Sequence, residues 1–200
     1  MRSKGTLVLV ALVALLGLGG CAGVSTYNDM IAAQENVKQA WANVESNYQR
    51  RADLIPNLVN TVQGAANFEQ ETLQRVIEAR SKATSIQISA DDLNDPQKLQ
   101  QYQAAQQALG QSLGRLLAVS ERYPQLQATG AFRDLQAQLE GTENRINVAR
   151  RDYNAAVQRY NTQIRRFPAN IVANLTGFEP RAPFEADPGA AQPPAVDFGS

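Results

Sequence analysis

From Tyr27 onward, apolar side chains return every third or fourth residue, and that spacing constrains the fold more than any other feature of the chain. Tyr27, Met30, Gln34, Val37, Trp41, Val44, Tyr48, Arg51, Ile55, Leu58, Val62 and Ala65 advance in alternating threes and fours, with Gln34 and Arg51 the clearly polar members. At ~3.6 residues per turn such a series forms one stripe on one helix face. The spacing therefore predicts a long helix, with a kink or brief break at Pro56, where proline removes a backbone donor. Gly64 and Asn67 mark its end. Asn67 can cap the next helix, with Glu69, Gln70 and Glu71 in the favoured first turn. That second helix carries Leu73, Val76, Ile77 and Ala83 and fades by Ser85.

Ser89 to Asp95 reads as a loop, and Asp95-Pro96 as a helix start, with aspartate as cap and proline at the first helical position. Leu99, Tyr102, Gln106, Leu109, Leu113, Leu116 and Ser120 repeat the three-four alternation. Gly110 and Gly114 weaken this helix but permit close approach of a neighbour. Pro124 ends or bends it, and Thr129 caps another, whose stripe is Phe132, Leu135, Leu139, Thr142, Ile146, Ala149, Tyr153, Ala156, Tyr160 and Ile164. Phe167-Pro168 stops that helix. Beyond it come an apolar piece, Ile171 to Phe178, and from Arg181 to Ser200 a Pro, Ala and Gly tail expected to be disordered.

Each stripe needs a partner. The mature chain is also rich in Ala, Gln, Leu and Arg and poor in strand formers. The expectation is an all-α, coiled-coil-like antiparallel bundle of about four long helices over residues 27–180, reversing near 65–68, 86–95 and 124–130. Trp41 and the tyrosines read as core with polar tips near water. Arg51 and Gln34 read as facing solvent where the stripe drifts.

Ahead of the bundle stand Arg2 and Lys4, an apolar run from Leu7 to Leu16, and then Leu18-Gly19-Gly20-Cys21. This pattern resembles a bacterial lipoprotein signal over residues 1–20, cleaved before a lipidated Cys21, with 21–26 a short tether. An uncleaved membrane helix fits less well, since Gly5 to Gly20 spans about 24 Å against a hydrocarbon core of ~30 Å. Ala22, rather than aspartate, follows the cysteine, so in a diderm the expected place is the outer membrane, facing the periplasm. The whole chain has 19 basic and 19 acidic residues, and losing Arg2 and Lys4 leaves 17 against 19, a charge of −2. That balance makes no global electrostatic case for nucleic acid or an anionic bilayer as partner.

Residues for chemistry are few. The chain has no histidine, and lipidation consumes its one cysteine. Asp91, Asp92 and Asp95 lack the spacing of a calcium loop and read as a solvated acidic loop. Glu69 with Glu71 follows helix-start bias, and Glu140 with Glu143 reads as an exposed face beside Arg145. No catalytic, metal or cofactor residues emerge. What stands out is a polar set, Arg50, Arg51, Asn144, Arg145, Asn154 and Asn161, a candidate contact face for another protein. Asparagine is a poor helix former, and its recurrence has no evident folding reason in the sequence.

Trp41-Ala42-Asn43-Val44-Glu45 through Gln49-Arg50-Arg51-Ala52-Asp53-Leu54-Ile55-Pro56-Asn57-Leu58-Val59 resembles the hallmark of the LemA family. Gly141-Thr142-Glu143-Asn144-Arg145-Ile146, with Tyr153-Asn154, Tyr160-Asn161 and Phe167-Pro168 after it, is similar to that family's C-terminal helix. The resemblance implies a helical bundle attached to the envelope by its N-terminus, with no catalytic residues to carry over. A transmembrane helix, frequent in relatives, is here replaced by the lipobox-like signal. The functional expectation is a non-catalytic, membrane-anchored scaffold or adaptor, bound to the membrane through Cys21 and to an unidentified envelope protein. The alternative is a hydrolase of envelope material using carboxylates such as Glu140 or Glu143.

Overall fold

The computed structural model describes residues 2–64 and 68–185, with side chains continuous from Gly23 within those ranges. Helix α1 spans Arg2–Gln63, α2 Gln70–Ser85, α3 Pro96–Ser120, α5 Gly130–Arg165 and α6 Ala169–Thr176; a 3-10 turn, Ala90–Asn94, precedes α3, and the single-turn α4, Pro124–Gln127, follows it. No strand occurs among the described residues. The fold is the expected all-α bundle of four long helices. It is antiparallel: Trp41 and Arg51 on α1 meet Tyr153 and Glu143 on α5, while Glu69 and Ala83, at the two ends of α2, meet Arg122 just past α3 and Gln106 within it.

The stripes are the core. On α1, Met30, Val37, Trp41, Val44, Tyr48, Ile55, Leu58 and Val62 are buried, and so are all seven stripe positions of α3. Of the α5 stripe only Leu135 and Ala156 are half-buried rather than buried, and Val157 is buried beside Ala156. Leu73, Val76 and Ala83 of α2 are buried, whereas Ile77 is exposed. Tyr27 is exposed, Gln34 half-buried, and Ala65 lies outside the described residues.

Pro56 does not break α1. A proline at 56 leaves the carbonyl of Ala52, four residues back, without its helical donor. Arg80 of α2 supplies one, its Nε donating to that oxygen at 2.8 Å. Ile55, Leu58 and Val59 are buried around the proline, so tertiary packing holds the segment helical.

Capping follows the sequence in α3 and α5 but not in α2. The Asp95 carboxylate accepts from the backbone N–H groups of Gln97 and Lys98, and Thr129 Oγ1 accepts from that of Phe132. Glu69 occupies the cap position of α2, and Asn67 lies outside the described residues. The Ser89–Asp95 loop holds a 3-10 turn: Asp92 accepts from the backbone N–H and hydroxyl of Ser89 and from Lys98. Those donors hold the Asp92 carboxyl well below the usual carboxylate range.

Two further expectations need correction. Residues 21–26, expected as a tether, are part of α1, so the chain enters the bundle as helix. Residues 181–185, expected in the disordered tail, follow α6 as an extended strap on the bundle, burying Ala182 and Phe184. Residues 186–200 lie outside the described residues.

The core divides in two. One cluster gathers Met30 to Tyr48 of α1 with Leu99 and Tyr102, Ile146 to Ile164, Ala173 of α6 and Phe184 of the strap. The other gathers Ile55 to Val62 with α2, Ala105 to Val119, Leu126, Phe132 and Leu139. Between them on α1 and α3 lie the stripe positions Arg51 and Gln106.

Candidate functional site

Arg51 is 3% exposed, against the expectation that it faces solvent. Its position on the stripe turns it inward, where a buried guanidinium needs partners for its donors; both terminal nitrogens find them, while Nε is buried without one. Nη2 donates to the Gln106 backbone oxygen at 2.9 Å and to its side-chain Oε1 at 2.8 Å; Nη1 donates to Glu143 Oε2 at 2.9 Å. The guanidinium lies 5.1 Å from the centre of the Tyr48 ring, a cation–π contact. Gln106 passes the network on, its Nε2 donating to the Ala83 carbonyl of α2 at 3.3 Å. One arginine thus ties α1 to α3 and α5, and through Gln106 to α2.

A signal for this layer was present in the sequence. The stripes of α1, α3 and α5 each carry polar members, Arg51, Gln106 and Thr142, and all three are buried. Thr142 satisfies itself locally, its hydroxyl donating to the Gln138 carbonyl at 2.7 Å. The close helix approach that Gly110 and Gly114 permit is not taken up. A Cβ on Gly110 would meet only Arg51 Nη1, at 3.5 Å, and one on Gly114 would meet nothing within 4 Å.

Two clefts open on the layer. One, about 320 Å³, is lined by Tyr48, Gln103, Gln107, Gln111, Asn147 and Arg150 beside Arg51 and Gln106. The other, about 270 Å³, places Glu140 and Glu143 next to Leu113, Leu117 and Leu139. Glu143, 48% exposed at its side chain, is engaged by Arg51 rather than by Arg145. Both carboxylates at the start of α2 also have structural partners. Glu69 accepts from Thr72 and Arg122, which lower its pKa, and Glu71 pairs with Arg75. Among the described residues no cluster of His, Cys, Asp and Glu could hold a metal ion.

The six residues of the expected contact face do not act alike. Arg50, Asn144 and Arg145 are exposed. Arg51 is the buried tie just described. Asn154 and Asn161 face the C-terminal strap, and their recurrence has a folding reason after all. Asn161 donates through Nδ2 to the Arg181 carbonyl and accepts through Oδ1 from the Arg181 N–H, both at 2.8 Å. Asn154 makes the same pair with Phe184, at 3.0 and 2.8 Å. Seven residues separate them, two helical turns, so two amides on one face of α5 treat the strap as a neighbouring strand would.

Other side chains complete the strap. Tyr153 and Tyr160 hydroxyls donate to the carbonyls of Ala182 and Glu179, each at 2.9 Å, so these polar tips meet backbone rather than water. Gln103 donates to the Glu185 carbonyl at 2.8 Å and accepts from its N–H at 3.2 Å. Phe184 stacks on Trp41 at 5.9 Å and meets Tyr153 edge-on at 5.3 Å, with Arg150 over its outer face.

Long helices closed by a C-terminal strap and tied across a buried arginine define a helical module whose conspicuous polar residues largely serve its own architecture. The chain belongs to the LemA family, whose pattern it matches over residues 40–198. It is similar to magnetosome proteins MamQ 1 and MamQ 2 of Paramagnetospirillum magneticum, at 29% identity over 84% of this chain and 67% of each relative. It is also similar to protein LemA of Metamycoplasma hominis, at 25% identity over 82% of this chain and 70% of that one. The Arg51–Gln106–Glu143 layer lies within the family match.

Proposed function

We propose that this chain is a non-catalytic, lipid-anchored envelope protein whose bundle is a scaffold or adaptor acting through protein–protein contacts. Cys21 is the acylated first residue of its mature form, on the periplasmic face of the outer membrane where the source is a diderm. The observation that carries this reading is the Leu18-Gly19-Gly20-Cys21 run directly ahead of the bundle, and α1, Arg2–Gln63, continues as helix from Cys21 into that bundle. An anchor attached there couples to the bundle without a flexible joint, which suits a fixed stand. Family membership supports the same reading.

The contact surface we assign is narrower than the sequence suggested: Arg50, Asn144 and Arg145, exposed at the height where Arg51 meets Glu143. Arginine suits bidentate recognition of carboxylates on a partner. In vivo crosslinking from the native membrane tests the proposal. Replacing Arg50, Asn144 and Arg145 together by alanine should leave helicity and fatty-acid labelling intact while abolishing partner crosslinks. Labelling that persists in Cys21→Ser overturns the anchor. Crosslinks unchanged in the triple variant overturn the surface.

A further inference from the structure

The large apolar side chains left uncovered are concentrated at one end of the molecule. Val24, Tyr27 and Ile31 are exposed on α1, and Phe167, Ile171 and Leu175 on the α5–α6 turn and α6. Tyr27 meets Phe178 edge-on at 5.6 Å, which brings the two groups together. The other exposed large apolar residues of the bundle, Ile77 and Val148, stand singly on α2 and α5.

Helix α6 is built inside out for a helix on a water-facing surface. Its fully buried positions are Ala169 and Ala173, while Ile171 and Leu175, one turn apart, point away from the bundle. Leu175 is 82% exposed, Ile171 51%, and Phe167, just before the helix, 81%. An amphipathic helix on a globular surface places its large apolar residues inward. Val172 is half-buried against the core, but the larger Ile171 and Leu175 face out while the alanines face in, the arrangement of an element that contacts a second apolar medium.

The position of the anchor says which medium. Tyr27 follows Cys21 by six residues of the same helix, about 9 Å at ~1.5 Å per residue. Residues 24, 27 and 31 form one stripe leading from Cys21 toward α6. Arg165 and Arg166, both exposed, immediately precede Phe167 and place two cations at the rim of the patch. Apolar side chains bordered by arginines are the pattern of a helix seated in a headgroup layer.

We propose that α6 and the Phe167 turn rest in the leaflet that holds the anchor, with Phe167, Ile171 and Leu175 among the upper acyl chains and Arg165 and Arg166 at anionic phosphates. This rests on the anchoring of Cys21 proposed above and gives the anchor a second point of support. The bundle is then held at a fixed attitude to the membrane.

The test uses the full chain, purified from its membrane and reconstituted into phosphatidylethanolamine–phosphatidylglycerol vesicles with brominated acyl chains. Leu175→Trp and Phe167→Trp are compared with Val148→Trp, Trp41 being retained as a buried reference. Emission added at 175 and 167 should fall at least twofold against unbrominated vesicles, and that at 148 should not change. A chain that sediments with the vesicles but shows no quenching at either site overturns the leaflet contact and leaves the anchor standing. Failure to sediment overturns both. A concentration-dependent blue shift at 175 without lipid assigns the patch to a second copy of the chain and also overturns the proposal.

Discussion

The two halves of the bundle solve the same packing problem with different materials. Toward the α1–α2 reversal, beyond Arg51, the core is largely aliphatic: Ile55, Leu58, Val62, Leu73, Val76, Leu109, Leu113, Leu116 and Leu139, with Phe68 and Phe132. Toward α6 it contains Trp41, Tyr48, Tyr102, Tyr153, Tyr160 and Phe184, and its tyrosines and amides hold an extended segment from the end of the described chain. Helix pairing, with Phe68 from the α1–α2 connection, completes the first half, whereas the second stays open until a non-helical strap closes it. A bundle of this length can therefore owe its cooperativity to unlike causes at its two ends, joined by the Arg51 layer.

The sharpest separation of the halves is expected in alkali. Burial raises the pKa of Tyr102, Tyr153 and Tyr160 above the ordinary 10.0, and all three belong to the strapped half. A raised folded-state pKa means that stability is fully present below the unfolded value and is lost as pH climbs from there toward the folded value. Above pH ~10 the strapped half should open first. Tyrosinate absorbance should rise together with loss of near-ultraviolet dichroism, while amide protons of α2 remain protected. Simultaneous exchange in both halves would show that the Arg51 layer transmits unfolding without resistance.

Next in size is Trp41→Ala. The indole touches Tyr102, Tyr153 and Phe184, at 5.6, 5.5 and 5.9 Å between ring centres, and is 4% exposed. Removing it should cost ~3–5 kcal/mol, read as a lowered denaturation midpoint. Its wild-type emission should be blue-shifted, because it is the chain's sole tryptophan and is buried. A midpoint unchanged by the substitution would mean that the aromatic cluster contributes little and the halves differ in composition only.

Asn154→Ala and Asn161→Ala sharpen the comparison further. Each removes two hydrogen bonds to the strap, and at ~0.5–1.5 kcal/mol per bond each variant should lose about 1–3 kcal/mol of local stability. Hydrogen exchange should quicken at Arg181 and Phe184, whose N–H groups these asparagines accept, and remain unaltered in α2. Equal acceleration in both halves would make the strap a global element rather than a local closure.

The four long helices, their order and most of their large buried side chains were legible because a 3.6-residue period is a local property, repeated along each helix. The Asp95 and Thr129 caps were legible for the same reason: cap and capped N–H lie within three residues. The strap was not, since proline and alanine after Arg181 carry no period and their partners lie on α3, α5 and the 3-10 turn. The asparagines that hold it looked like surface. Arg51 was misplaced by its charge although its register was right, because burial depends on Gln106 and Glu143, 55 and 92 residues away. The continuity of α1 through Pro56 was hidden likewise in Arg80, 28 residues past the carbonyl it satisfies.

The smallest expected effect concerns the far side of the Arg51 layer. Gly110 and Gly114 both lie inside α3, where glycine is ~0.8–1 kcal/mol less favourable than alanine. At Gly114 a Cβ would enter open space, so Gly114→Ala should gain about 0.5–1 kcal/mol. At Gly110 the added methyl would sit 3.5 Å from Arg51 Nη1, ordinary contact rather than a clash, and should shift a little of the guanidinium's surroundings from polar to apolar. Gly110→Ala should therefore gain less than Gly114→Ala, the shortfall measuring how tightly the arginine is held. If both variants gain equally in denaturant melts, the layer is loosely packed and the two cores are separated by a soft boundary. If Gly110→Ala destabilises, the guanidinium has no room to adjust, and the polar layer is the stiffest point in the bundle.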